Sequence, residues 1–206
     1  MLRFRGTRTR ALLSFLGVLG ILLACAADPC AAEDEGSSLR PLVHVGERAP
    51  SFTLNRLDGD PVEFVPGGGP PSLLIFWSAF CPLCRELTPD LVSLSNDHGK
   101  TVRFLSVNLD GDRFKSVIRS FVQENKIPYP VLLDDIRNDL FIASDPYGVS
   151  KTPTVVLVDG EGIVRGAYAA EAIRELIRDF DQVINSVRRR STRLRTAARP
   201  EVLHVR

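Results

Sequence analysis

From residue 46 onward, short apolar runs are separated by turn residues, and their period changes in a regular order. "SFTLNRLDGDPVEFV" (51–65) holds two β-type runs around Asp58-Gly59, which predicts a hairpin. "PGGGPP" is loop-forming, and "SLLIFW" (72–77) is a continuous apolar run, as expected for a central strand of a parallel sheet. Pro82 suits the first turn of a helix, predicted to reach Asn96 with a kink at Pro89. "TVRFLSVNLD" (101–110) reads as a strand. In 113–125, Phe114, Val117, Ile118, Phe121 and Val122 recur at helical spacing. "PYPVLLDD" predicts another strand and "IRNDLFIASD" (136–145) a short helix. "TPTVVLVDGEGIVRGAY" (152–168) predicts an antiparallel hairpin. Residues 169–187 predict one closing helix, with Ile173, Leu176, Ile177, Phe180 and Ile184 on a single face. This order implies an α/β fold: a mixed central sheet covered by helices on both faces, with an added N-terminal β-hairpin.

Residues 46–187 suit one domain with one core. Arginines at 3, 5, 8 and 10 precede the uncharged stretch "ALLSFLGVLGILLACAA" (11–27), so residues 1–27 read as an export signal. Its 17 residues sit at the lower edge of what spans a bilayer, which leaves an uncleaved membrane anchor open. "LLAC" at Cys25 looks like a lipobox, making Cys25 a candidate lipidation site. Cleavage by an ordinary signal peptidase, even beyond Cys30, is the competing reading. Each reading places the domain outside the cytoplasm, in the periplasm or envelope. Residues 28–45 read as a flexible tether. Residues 188–206, with seven arginines and one glutamate, read as a basic, disordered tail. The formal charge of +1 therefore hides a split. Without the leading arginines and the tail, 15 basic face 24 acidic residues, a body near −9 that argues against nucleic-acid binding.

The chemistry centres on "FWSAFCPLCRELTP" (76–89), where Cys81 and Cys84 stand at the expected helix start. Backbone N–H groups and the helix dipole favour a thiolate there, whereas Cys84, one turn deeper, is expected to keep its proton. Cys81 then attacks and Cys84 resolves the mixed disulfide. A four-ligand zinc site lacks partners, because His44, His98 and His204 are scattered over tether, helix end and tail. Copper(I) held by the two thiolates, as in a metallochaperone, remains open. So does a peroxidatic cysteine, with Ser78 three residues before Cys81. No cofactor or resident metal is expected.

"VGERAPSFTL", "LLIFWSAFCPLCRELTP", "PYPVLLD" and "YGVSKTPTVVLVDGEGIVRGAY" come in the order found in TlpA/ResA-like thioredoxin-fold proteins of the bacterial envelope, within the AhpC/TSA-redoxin superfamily. The resemblance covers residues 45–187. It implies a thioredoxin fold and a membrane-tethered thiol-disulfide oxidoreductase, with Cys81 as nucleophile, Cys84 as resolving cysteine and Cys81–Cys84 as the redox-active disulfide. It also implies a cis Thr152-Pro153 bond facing the pair, and a client-binding surface of Trp77, Pro82, Thr152 and Pro153. The implied partners are client protein disulfides or thiols and a membrane electron donor, in cytochrome c or metalloenzyme maturation, with reduction the favoured direction.

Two places depart from the family. Thioredoxins carry a buried Asp where this chain has Ile75, and many TlpA-like proteins carry a Glu where it has Leu87. Glu86 is one residue early. At +2 from Cys84 it is turned about 200° away around the helix, which makes it a surface carboxylate rather than a proton carrier. The Cys-Pro-x-Cys order is similar to MauD-type accessory proteins, which also have an apolar residue at the +3 place.

Overall fold

The computed structural model describes residues 42–197. The leader, Cys25, Cys30, nearly all of the tether and the end of the tail lie outside them. In chain order the elements are β1 (Phe52–Arg56), β2 (Pro61–Phe64), β3 (Ser72–Trp77), α1 (Pro82–His98) and β4 (Arg103–Asn108). A 3-10 turn (Asp112–Phe114), α2 (Lys115–Glu124), β5 (Val131–Leu133), β6 (Ile136–Arg137) and β7 (Leu140–Phe141) follow. β8 (Thr154–Val158), β9 (Val164–Ala169), α3 (Ala172–Arg178) and α4 (Phe180–Ala197) complete the described chain.

Seven strands form one mixed sheet in the order β2-β1-β5-β4-β3-β8-β9. β3, β4 and β5 run parallel; β8 is antiparallel to β3, and β1 to β5. The expected N-terminal hairpin extends this sheet beside β5, turning at Gly59 with a φ of 112°. All six residues of β3 are buried, as its unbroken apolar run implies.

The helices lie on one face, a difference from the expected two-sided cover. Leu73 and Ile75 pack with Leu87, Leu91, Ile173 and Phe180, while Trp77, Val131 and Leu133 on the same side meet Ile118 and Phe121 of α2. The cause is topological. The steps β3 to β4 and β4 to β5 go the same way across the sheet, so right-handed crossovers place α1 and α2 together. On the opposite face, Leu74, Phe76, Val107 and Val156 meet Val43, Phe52, Phe64, Ala143 and Tyr147.

The helix expected over 136–145 is replaced by the small hairpin β6/β7 and a set of turns. Asn138 and Asp139 take left-handed dihedrals of 53° and 62°, a two-residue hairpin turn. The buried Asp134 carboxylate then captures the N–H groups of Ala143 (3.0 Å) and Ser144 (2.9 Å) and the Ser144 hydroxyl (2.7 Å). These bonds fold the segment back so that Tyr147 is fully buried, its hydroxyl donating to the Pro50 carbonyl at 2.7 Å.

Two further differences concern the C-terminal end. The single closing helix is divided at Asp179 into α3 and α4. α4 continues through residue 197, so the first half of the expected disordered tail is helical. No helix among the described residues is long and apolar enough to cross a membrane.

Candidate active site around Cys81 and Cys84

β3 delivers the chain through Ser78, Ala79 and Phe80 to Cys81, which caps the N-terminus of α1 with extended dihedrals (φ −81°, ψ 117°). Its sulfur accepts the Cys84 backbone N–H at 3.2 Å, taking up one of the donors that a helix start leaves unpaired. Pro82, exposed and lacking an N–H, opens the helix without losing a hydrogen bond. α1 passes through Pro89, where the Thr88 hydroxyl donates to the Cys84 carbonyl at 2.7 Å.

The two sulfurs stand in different environments. Cys81 is partly exposed, and Cys84 is buried at 3% exposure among Trp77, Ala79, Ile118 and Phe121. Burial, reinforced by the hydrogen-bonding contact with Cys81, pushes the Cys84 thiol up to about 12; a backbone contact from Ser78 and the Thr152 hydroxyl act the other way without cancelling it. The carboxylates that could relieve this are absent at the expected places: Ile75 and Leu87 are buried apolar residues. Glu86 is exposed and accepts a 2.6 Å hydrogen bond from the Arg174 guanidinium on α3.

The Thr152-Pro153 peptide bond is cis. It brings the Thr152 carbonyl to 3.4 Å from the Cys81 sulfur, which donates to it as a thiol, across 71 residues of sequence. Pro153 is buried behind Thr152. Cys81, Pro82 and Thr152 therefore share the accessible surface. Trp77 does not: at 4% exposure it lies beneath the site, tilted against Phe121 with ring centroids 5.0 Å apart, and its indole N–H has no partner among the described residues. The neighbouring aromatic Phe80, by contrast, reaches the surface. That side chain is 56% exposed and stands edge-on to Phe114 at 5.0 Å.

Sequence reasoning missed one more residue. Asp110, just past β4, accepts from the Ser78 hydroxyl (2.5 Å), the Ala79 N–H (2.7 Å) and the Asn108 amide (2.9 Å). The Ser78 hydroxyl in turn accepts the Phe80 N–H at 3.1 Å. One carboxylate thus ties down the turn that presents Cys81. The only trace in the sequence is an aspartate at a strand end, which by itself signals a turn. Ser78 is engaged in this network rather than standing free beside Cys81.

Residues 45–167 match the family model described as AhpC/TSA family. The chain is 31% identical over 164 residues to the thiol:disulfide interchange protein DsbE of Escherichia coli K12, covering 78% of this chain and 83% of that protein. To the thiol-disulfide oxidoreductase ResA of Halalkalibacterium halodurans it is 25% identical over 146 residues, with coverages of 70% and 80%. Among solved structures it resembles the thioredoxin domain of a thiol-disulfide oxidoreductase from Bacteroides vulgatus, at 25% identity and a TM-score of 0.58, covering 69% of this chain and 99% of that domain. The chain belongs to the AhpC/TSA family, and within it is a thiol-disulfide oxidoreductase.

Proposed function

We propose that the protein reduces disulfides of client proteins outside the cytoplasm, with Cys81 as nucleophile and Cys84 as resolving cysteine. The observation that carries this reading is the asymmetry of the pair: an accessible sulfur on a helix start, and a buried thiol one turn below it. The Cys81 thiolate attacks one sulfur of a client disulfide and expels the other as a thiolate. Cys84 then gives up its proton and attacks the Cys81 sulfur, breaking the mixed disulfide. The client gains two electrons and two protons, and the Cys81–Cys84 disulfide forms. A membrane electron donor restores the dithiol for the next cycle. The Thr152 backbone, facing Cys81, supplies strand-like contacts to the client segment.

The proton held on Cys84 keeps the reduced pair a dithiol at neutral pH, the form that a reductase offers to its client. The leader of residues 1–27 supports export, with tethering through Cys25 or the apolar segment, and maturation of cytochrome c or metalloenzymes as the setting.

The test is insulin reduction by the dithiol form. Wild type is expected to turn over, and Cys81→Ser to be inactive. Cys84→Ser should accumulate a mixed disulfide through Cys81 that dithiothreitol releases. Turnover by Cys81→Ser, or stoichiometric copper(I) binding by a reduced protein that leaves insulin intact, would refute the reading. An equilibrium potential near −270 mV fits a reductase, and one near −120 mV an oxidant.

A further inference from the structure

The pole of the domain farthest from Cys81 carries several exposed cations. β3 spans about 20 Å from Ser72 to the turn that bears Cys81, and α1 spans about 25 Å from Cys81 to His98. Both begin or end at the far pole, next to a cleft of about 410 Å³. Pro70, Pro71, Lys100, Thr101, Arg188 and Thr192 line it.

α4 brings further positive charge to this place. As a disordered chain, residues 188–195 would spread their charges through solvent. As a helix they set Arg188, Arg189 and Arg190 within one turn, about 5 Å of axis. Ser191, buried and hydrogen-bonded to Glu161 in the β8–β9 turn, holds this part of the helix to the body. Arg188, Arg189 and Arg190 are exposed, and no acid among the described residues forms an ion pair with them or with Lys100.

We infer that this pole is a docking surface for an anionic lipid bilayer, with the cleft between Lys100 and Arg188 receiving a phosphate-bearing headgroup. The charge distribution selects a bilayer over an extended polyanion. A planar surface meets only this pole, where Asp97, Asp181 and Glu161 stand beside the cations, and acids farther than about 8 Å away are screened at physiological salt. A nucleic acid or acidic chain wrapping the domain would meet the net negative body instead. Docked in this way, the domain turns Cys81 away from the membrane, towards soluble clients. The inference stands on charge and shape alone, independently of the redox reading.

Full-length protein is titrated with vesicles of phosphatidylcholine, with and without phosphatidylglycerol. The N-terminal apolar segment contributes to both, and Arg3, Arg5, Arg8 and Arg10 add an anionic preference common to every variant, so the measured quantity is the change in that preference between wild type and variant. Wild type should show a clear preference that falls as salt rises. A variant combining Lys100→Gln, Arg188→Gln, Arg189→Gln and Arg190→Gln should lose about tenfold or more of it. The milder pair Arg189→Gln and Arg190→Gln should lose a smaller part, and a control pair, Lys126→Gln with Arg137→Gln, should lose none. Trp77 emission and insulin reduction should be unchanged, which shows that the fold is intact. Retention of the preference in both arginine variants would overturn the inference. So would equal loss in the control, or tighter binding of a poly-glutamate peptide than of anionic vesicles.

Discussion

Glu86 and Arg174 face each other at 2.6 Å across α1 and α3, so the acid nearest in sequence to Cys84 is committed to a neighbouring helix. It sits at +2 from Cys84, on a different side of α1, and Leu87 fills the position that would look towards the thiol. Glu86→Ala is therefore expected to leave insulin reduction within about twofold of wild type, since removing an exposed ion pair changes little. A large rate loss in that variant would show that Glu86 carries the Cys84 proton after all.

The converse substitution tests the same geometry from inside. Leu87→Glu places a carboxyl group on the face of Cys84. It should speed resolution of a mixed disulfide at neutral pH by providing a proton acceptor. Burying that group costs stability, on the order of 2–5 kcal/mol. Stopped-flow Trp77 fluorescence gives the rate and urea unfolding the stability. Leu87→Gln, similar in size and unable to accept the proton in this way, should destabilise without accelerating.

The raised Cys84 value sets a pH dependence with a definite sign. The folded dithiol holds its proton up to about pH 12, while an ordinary thiol loses it near 9. Between those values the unfolded chain binds fewer protons, so the stability of the reduced form falls as pH rises, by about 1.4 kcal/mol per unit at most. Below pH 9 this group contributes no slope. The disulfide form has no such proton. The difference in urea midpoint between the two forms should therefore shift steadily against the dithiol from pH 9 to 12; a constant difference would contradict the burial of Cys84. The resolution rate should rise about tenfold per pH unit over the neutral and mildly alkaline range, as the thiolate fraction grows.

Asp110 holds the turn at Ser78–Phe80 through the Ser78 hydroxyl and the Ala79 N–H, accepts a third bond from Asn108 and hydrogen-bonds to neither sulfur, which makes it a positioning residue. Asp110→Ala is expected to slow attack on insulin by about tenfold and to cost about 1–3 kcal/mol. Asp110→Asn, which keeps one acceptor oxygen, should recover part of the rate. Rate loss without rescue by asparagine would point to the charge rather than to the hydrogen bonds.

Asp134 plays a structural part far from the cysteines. Its carboxylate accepts from Ala143, Ser144 and Asp135 while 2% exposed. Asp134→Ala should cost about 3–5 kcal/mol, because several buried donors lose their acceptor together. The urea midpoint should fall with little change in the per-molecule reduction rate of the protein that remains folded.

Much of the fold and the cysteine pair is legible in the chain because the signals are local. The apolar run at 72–77 and the glycine turn at 58–59 declare themselves within a few residues. The place of Glu86 on α1 follows from helix period alone. Segment 136–145 misleads because its apolar spacing suits a helix, whereas the left-handed dihedrals at Asn138 and Asp139 and the reach of Asp134 depend on bonds to residues nine or ten positions on. The burial of Trp77 is not legible, because a continuous apolar strand hides which of its faces looks where. The arginine run at 188–195 has no apolar period of its own and becomes helical as a continuation of α4, which Phe180 and Ile184 seat on the sheet.

What the chain alone determined is the pair of sulfurs three residues apart, the helix start beneath them, and the order of strands that builds the platform. What only tertiary structure decided is their surroundings: Asp110 closing over Ser78, the Thr152 carbonyl arriving from 71 residues away, and the burial of Cys84 among Trp77, Ile118 and Phe121. The physical reason is range. Backbone dihedrals and helix period act between near neighbours, while desolvation and hydrogen bonding act between whatever groups the folded chain brings into contact.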